Sequence, residues 1–125
     1  MKVERIEKLY FELVYSIEDA NDTKELLNKV SRSLYLLLKL VYLRHGELSR
    51  TVGREIMKFL YAEESEEEKV EKLGKIVSLL REEAITTKYP YIDFYMQNFV
   101  SEMDRLMIKK GFNFFLTSNG ESKTS

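Results

Sequence analysis

Apolar side chains recur at three- and four-residue intervals along almost the whole chain. A helix turns once every 3.6 residues, so this spacing gathers them on one face, whereas a half-buried strand needs strict alternation. Val3, Ile6, Leu9, Tyr10, Leu13, Val14 and Ile17 predict a first amphipathic helix over 3–20. Asn21-Asp22-Thr23 breaks it and supplies short polar side chains that can cap the next. From Lys24 to Arg44 the period continues through Leu26, Leu27, Val30, Leu34, Leu37, Leu38 and Val41, with Tyr35, Leu36, Leu40, Tyr42 and Leu43 widening the stripe. A helix apolar nearly all round belongs at the centre of a bundle, or offers a second face to another chain, and both are expected here.

Gly46 is expected to end that helix in the left-handed conformation, which glycine adopts without steric cost. Arg44 and His45 then fall in the last turn, where cations meet the negative end of the helix dipole. Glu47–Arg50 reads as a loop and Thr51–Tyr61 as a third helix with Ile56, Phe59 and Leu60 inward. Ser65 followed by Glu68 matches a capping box and starts a fourth helix running to about Thr87, with Val70, Leu73, Ile76, Val77, Leu80 and Ala84 buried. Lys88-Tyr89-Pro90-Tyr91 interrupts the pattern, and Asp93 is expected to cap a fifth helix. That helix carries Phe94, Tyr95, Phe99, Val100, Met103, Leu106, Met107 and Ile108 and could continue through Gly111 to Phe115. No strand candidate survives. The expected fold is all-α, a five-helix up-and-down bundle over 1–116 with a mobile polar tail over 117–125.

Composition narrows the function. A chain of 125 residues with 44% hydrophobic and 33% charged content folds as one domain. Twenty basic against 21 acidic residues leave a formal charge of −1, so any nucleic-acid site must be local. Without cysteine and with His45 as the one histidine, no metal site is expected, and no cofactor motif is present. No apolar run approaches the length that spans a bilayer, and Met1-Lys2-Val3-Glu4-Arg5 is too charged to lead a signal peptide, so a soluble cytoplasmic protein is expected.

No serine stands in an elbow or glycine-rich context that could pair with His45 as a nucleophile. The acidic runs Glu63-Glu64, Glu66-Glu67-Glu68 and Glu82-Glu83 read as solvated helix faces. Arg44, His45, Arg50 and Arg54 gather within eleven residues around a loop and a helix start, and form the best local anion site. Tyr89-Pro90-Tyr91 could stack on a base or pack the edge of the bundle. The aromatic and methionine content of the last helix, with Phe112, Phe114 and Phe115 beyond it, exceeds the need of one core face and suggests a subunit interface.

Three stretches in order resemble the HEPN superfamily of small helical domains. Ser33-Leu34-Tyr35-Leu36-Leu37-Leu38-Lys39 is similar to its second helix, an apolar run ending in lysine. Gly46-Glu47-Leu48-Ser49-Arg50-Thr51 with Arg54-Glu55-Ile56 resembles the glycine turn before its third helix, and Glu83-Ala84-Ile85-Thr86-Thr87-Lys88-Tyr89-Pro90 its tyrosine-proline corner. The likeness spans about residues 3–110. It implies a five-helix bundle, a homodimer, and work beside a minimal nucleotidyltransferase as half of a toxin-antitoxin pair. Many relatives are ribonucleases whose motif sets an arginine four to six intervening residues before a histidine. At that spacing before His45 stand Leu38, Lys39 and Leu40, and Val52 stands where relatives often have histidine. The expectation is therefore a non-catalytic module that binds a nucleotide or RNA, or the nucleotidyltransferase, with no membrane association. Its candidate binding residues are Lys39, Arg44, His45, Arg50, Arg54, Lys88 and Tyr89, and no catalytic residue is assigned. The alternatives are a metal-independent ribonuclease combining His45 with Lys39 or Arg44 across two subunits, and a structural adaptor docking through its aromatic last helix.

Overall fold

A computed structural model describes residues 2–110. It contains α1 (Val3–Tyr15), α2 (Thr23–Leu43), α3 (Arg50–Tyr61), α4 (Glu66–Thr86) and α5 (Pro90–Lys110), and no strand among the described residues. The predicted continuation of α5 through 111–116 and the tail lie outside the described residues.

Pairings across the elements give the topology. Glu7 meets Arg44 and Ser16 meets Lys29, so α1 and α2 run antiparallel. Glu55 meets Lys75 and Phe59 meets Lys69, which sets α3 against α4, while Arg81 to Asp104 joins α4 to α5. Tyr10 with Tyr95, Tyr15 with Asn98 and Asp19 with Lys109 rise together, so α5 returns parallel to α1. This is an up-and-down bundle in which α2 packs against all four other helices.

The central place of α2 follows from its apolar excess. Leu26, Val30, Leu34, Leu37 and Leu40 are fully buried, while Tyr35 and Tyr42 on the far side stay 49% and 80% exposed. Around them pack Ile6, Tyr10, Val14, Ile56, Phe59, Leu73, Ile76, Leu80, Tyr95 and Phe99. Tyr10 and Tyr95 meet edge to face at 5.7 Å, which sets the positive ring edge against the negative face.

The helix starts are local. Asp22 accepts from the Glu25 amide at 2.7 Å, and Ser49 from the Val52 amide at 3.3 Å. Ser65 and Glu68 form the predicted capping box.

Four boundaries differ from the sequence expectation. First, α1 closes at Tyr15 instead of 20, and Ile17–Asp19 forms a tighter 3-10 turn. Ser16 Oγ bonds back to the Leu13 carbonyl at 2.7 Å and Lys29 Nζ takes the Ser16 carbonyl at 2.8 Å, so the freed acceptors are satisfied without another α-turn. Second, α3 begins at Arg50, because Ser49 caps it. Third, Pro90 opens α5 and Asp93 sits within its first turn instead of capping it. The first turn has no use for the missing amide, and the fixed φ of proline already suits a helix there.

Fourth, the left-handed residue at the end of α2 is His45, with φ 57°, and not Gly46. The Gly46 amide reaches the Val41 carbonyl at 2.9 Å and the His45 amide the Tyr42 carbonyl at 3.1 Å, the paired bonds of a Schellman ending shifted by one residue. Gly46 is required for another reason. A Cβ there would stand 2.9 Å from Cγ1 of the buried Ile92. Among the described residues no helix is long and apolar enough to cross a membrane.

Candidate functional site

One end of the bundle collects the C-termini of α2 and α4, the N-termini of α3 and α5, and the first turns of α1. Arg44 caps α2 there, and its side chain is held by three residues on two other helices, Glu7 of α1 and Tyr91 and Tyr95 of α5. Nε donates to Tyr95 Oη at 3.1 Å, Nη2 donates to Glu7 Oε2 at 3.2 Å, and the guanidinium lies 4.1 Å from the centre of the Tyr91 ring. Tyr95 Oη donates to the same Glu7 oxygen at 2.5 Å, and Tyr10 Oη donates to the Tyr95 carbonyl at 2.7 Å.

The chemistry of this cluster is that of a clamp. Burial, then the hydrogen bond to Glu7, push the Tyr95 phenol up to about 12, and Arg44 opposes that shift. The bond to Tyr95, with Glu7 beside it, raises Arg44 above its ordinary value. Burial drives the Tyr10 phenol up as well. The phenols are therefore fixed as neutral donors and the guanidinium as a permanent cation. Two of its five N–H donors are engaged by these partners.

The rest of the end is assembled by the 45–49 loop. Gly46 packs on Ile92 and Tyr89, and Tyr89 Oη lies 3.4 Å from Glu47 Oε1. Lys88 Nζ stands 5.8 Å from the Tyr89 ring centre. Ser49 presents its amide to Glu83 Oε2 at 2.8 Å. An internal carboxylate thus occupies the opening of α3, where the sequence suggested free amides for an external anion. Any anion bound here meets side chains and not that amide.

Of the residues singled out by sequence, Arg44, Lys88 and Tyr89 are tied to this end by contacts, and His45, Arg50 and Arg54 adjoin it along the loop and first turn of α3. His45, Arg50, Arg54 and Lys88 are exposed and form no ion pair among the described residues. Tyr89 is half-buried. Lys39 is exposed on α2, three residues after Leu36, and no contact joins it to the others. Glu7, Tyr95 and Glu83 were not among the candidate site residues: Tyr95 read as part of an apolar helix face and Glu83 as part of a solvated one, whereas they bond Arg44 and the Ser49 amide. Glu7 and Tyr95 lie 88 residues apart, and no local pattern marks such a pair. Tyr91, half of the tyrosine corner, is 54% exposed, so it does not pack into the core.

Comparison of the chain with protein-family models, curated proteins and solved structures finds no match.

Proposed function

We propose that this chain is a non-catalytic, HEPN-like helical module that binds a nucleotide at the Arg44–Tyr91 end of the bundle. The observation that carries this reading is the Arg44 guanidinium stacked 4.1 Å from a half-exposed Tyr91 ring, beside the exposed cations Arg50, Arg54 and Lys88 and the His45 imidazole. Arg44 covers one face of the ring and is itself anchored to Glu7 and Tyr95. The ring is therefore held in place, and a base stacking on its open face loses little further side-chain entropy. Arg50, Arg54 and Lys88 are the phosphate partners, binding as solvated charges, with the His45 imidazole beside them. A single bound nucleotide suits their modest number better than a long nucleic acid, which would need a larger positive field.

The resemblance adds a homodimer working beside a minimal nucleotidyltransferase. The half-exposed Tyr15 and Phe94, packed around Phe11 on the α1–α5 face, support an interface between copies. Light scattering on the purified chain gives its mass directly and tests that part.

Thermal melting with adenosine, guanosine, cytidine and uridine triphosphates tests the binding. A ligand that binds only the folded state raises Tm as its concentration rises. At least one triphosphate is expected to do so, and Tyr91→Ala and the Arg50→Ala, Arg54→Ala double variant to abolish the rise. An unchanged rise in both variants, or none in the wild type, refutes the site. RNA cleavage by the purified protein, lost in His45→Ala, would replace this reading by the ribonuclease one.

A further inference from the structure

On the face away from the core, α1 and α2 leave a groove of about 340 Å³ between them, lined by Leu9, Leu13, Ser31, Arg32, Tyr35 and Leu36. Leu9 and Tyr35 on its two walls are 45% and 49% exposed. Arg32 forms part of the wall. Helical spacing adds two further cations to the rim: Arg5 lies four residues before Leu9, and Lys39 four after Tyr35.

All three cations are exposed, and none forms an ion pair among the described residues. Other cations of the bundle pair, Lys29 with Glu25, Lys72 with Glu64, Lys75 with Glu55, Arg81 with Asp104 and Lys109 with Asp19, while Arg50, Arg54 and Lys88 at the Arg44 end, like these three, do not pair among the described residues. Against Arg5, Arg32 and Lys39 the nearest acid by helical spacing is Glu12, three residues after Leu9. A chain whose formal charge is −1 has thus set a locally positive rim around an apolar recess.

We infer that the α1–α2 groove receives an acidic amphipathic helix of a partner protein. The apolar floor requires an apolar stripe, and the unpaired rim requires carboxylates flanking it. The occupant must be helical because the walls are two helices. Among the described residues no sheet edge is present to satisfy an extended backbone, so a bound segment has to satisfy its own amides and carbonyls. A recess between two antiparallel helices admits a third at ordinary helix-packing distance. The concavity also disfavours a membrane surface, which would meet a protruding apolar face rather than a recessed one. Lys39, which the sequence grouped with the nucleotide site, belongs by position to this groove. The inference stands apart from the nucleotide reading, since among the described residues no hydrogen bond or ion pair joins the groove lining to Arg44, Glu7 or Tyr95.

The test is fluorescence anisotropy with a labelled synthetic helix of about 18 residues, carrying leucine at three-four spacing flanked by glutamate. A twin with lysine for every glutamate is the control. The acidic peptide should bind the full chain, more weakly as salt is raised. Arg5→Glu, Arg32→Glu, Lys39→Glu should weaken it at least about tenfold. Leu9→Ser should weaken it as well, and because the three charge positions are exposed, the triple variant keeps the test valid even if Leu9→Ser unfolds. Equal binding of the lysine twin, no binding of the acidic peptide, or an unchanged affinity in the triple variant overturns the proposal. So does adsorption of the wild type to phosphatidylcholine–phosphatidylserine vesicles in preference to the peptide, or self-association that the peptide fails to displace.

Discussion

Tyr95 Oη donates to Glu7 Oε2 at 2.5 Å, joining the last helix to the first across 88 residues of sequence. Arg44 binds both partners, so one phenol, one carboxylate and one guanidinium lock α1, α2 and α5 at the end where the candidate site sits. Removing the hydroxyl alone leaves the carboxylate and guanidinium paired. Tyr95→Phe is therefore expected to lower the unfolding free energy by about 1–2 kcal/mol, seen as a lower urea midpoint at unchanged m-value. A midpoint equal to that of the wild type would show that the hydroxyl contributes nothing to stability.

The same phenol sets an alkaline limit. Its folded pKa is raised from 10.0 to about 12, so the folded state holds the proton more tightly than the unfolded one. The stabilisation is complete below pH 10.0 and is lost as pH rises through about 12. Urea midpoints measured across that range should fall more steeply for the wild type than for Tyr95→Phe. Tyr10, also pushed up by burial, accounts for part of the slope that remains.

At the end of α2 two neighbouring substitutions should act in opposite directions. His45 carries the left-handed backbone, so His45→Gly relieves strain and should raise stability by up to about 1 kcal/mol. Gly46→Ala drives a methyl against Ile92 and should lower it by about 1–3 kcal/mol. Calorimetric melting of the two variants reads both signs, and a more stable Gly46→Ala would refute the packing argument.

Gly74 lies mid-helix on the exposed side of α4, with nothing within 4 Å of where a Cβ would be. Gly74→Ala should add about 0.5–1 kcal/mol through the lower entropy of the unfolded chain. A loss of stability in urea titration would mean that the position is closed in solution.

Ser33 is fully buried in α2, and its hydroxyl has no hydrogen-bond partner among the described residues. Replacing the buried hydroxymethyl by a methyl removes an unsatisfied hydroxyl and its desolvation penalty. Ser33→Ala should be neutral or stabilising by up to about 1 kcal/mol, and a clear fall in Tm would expose a partner for the hydroxyl.

The all-helical class, the number of helices and most of their buried faces were legible in the sequence, because each depends on neighbours three or four residues away. Ser65 and Glu68 announced a capping box for the same reason: donor and acceptor lie within one turn. The apolar girth of α2 likewise marked it as the central helix before any contact was known. Tertiary packing decided what depends on distant residues. Gly46 was identifiable as a helix end, but Ile92 of α5 makes it necessary and leaves His45 to take the left-handed turn. Arg44 was visible as a cation, while its anchoring by Glu7 and Tyr95 and its stacking on Tyr91 arise only when three helices close at one end. The opening of α3 looked free for an anion, yet Glu83 from α4 reaches it first. Periodicity and capping act within a few residues and survive in sequence as pattern. Shape, charge pairing and the occupancy of a helix end act through space, between residues whose order along the chain carries no trace of their meeting.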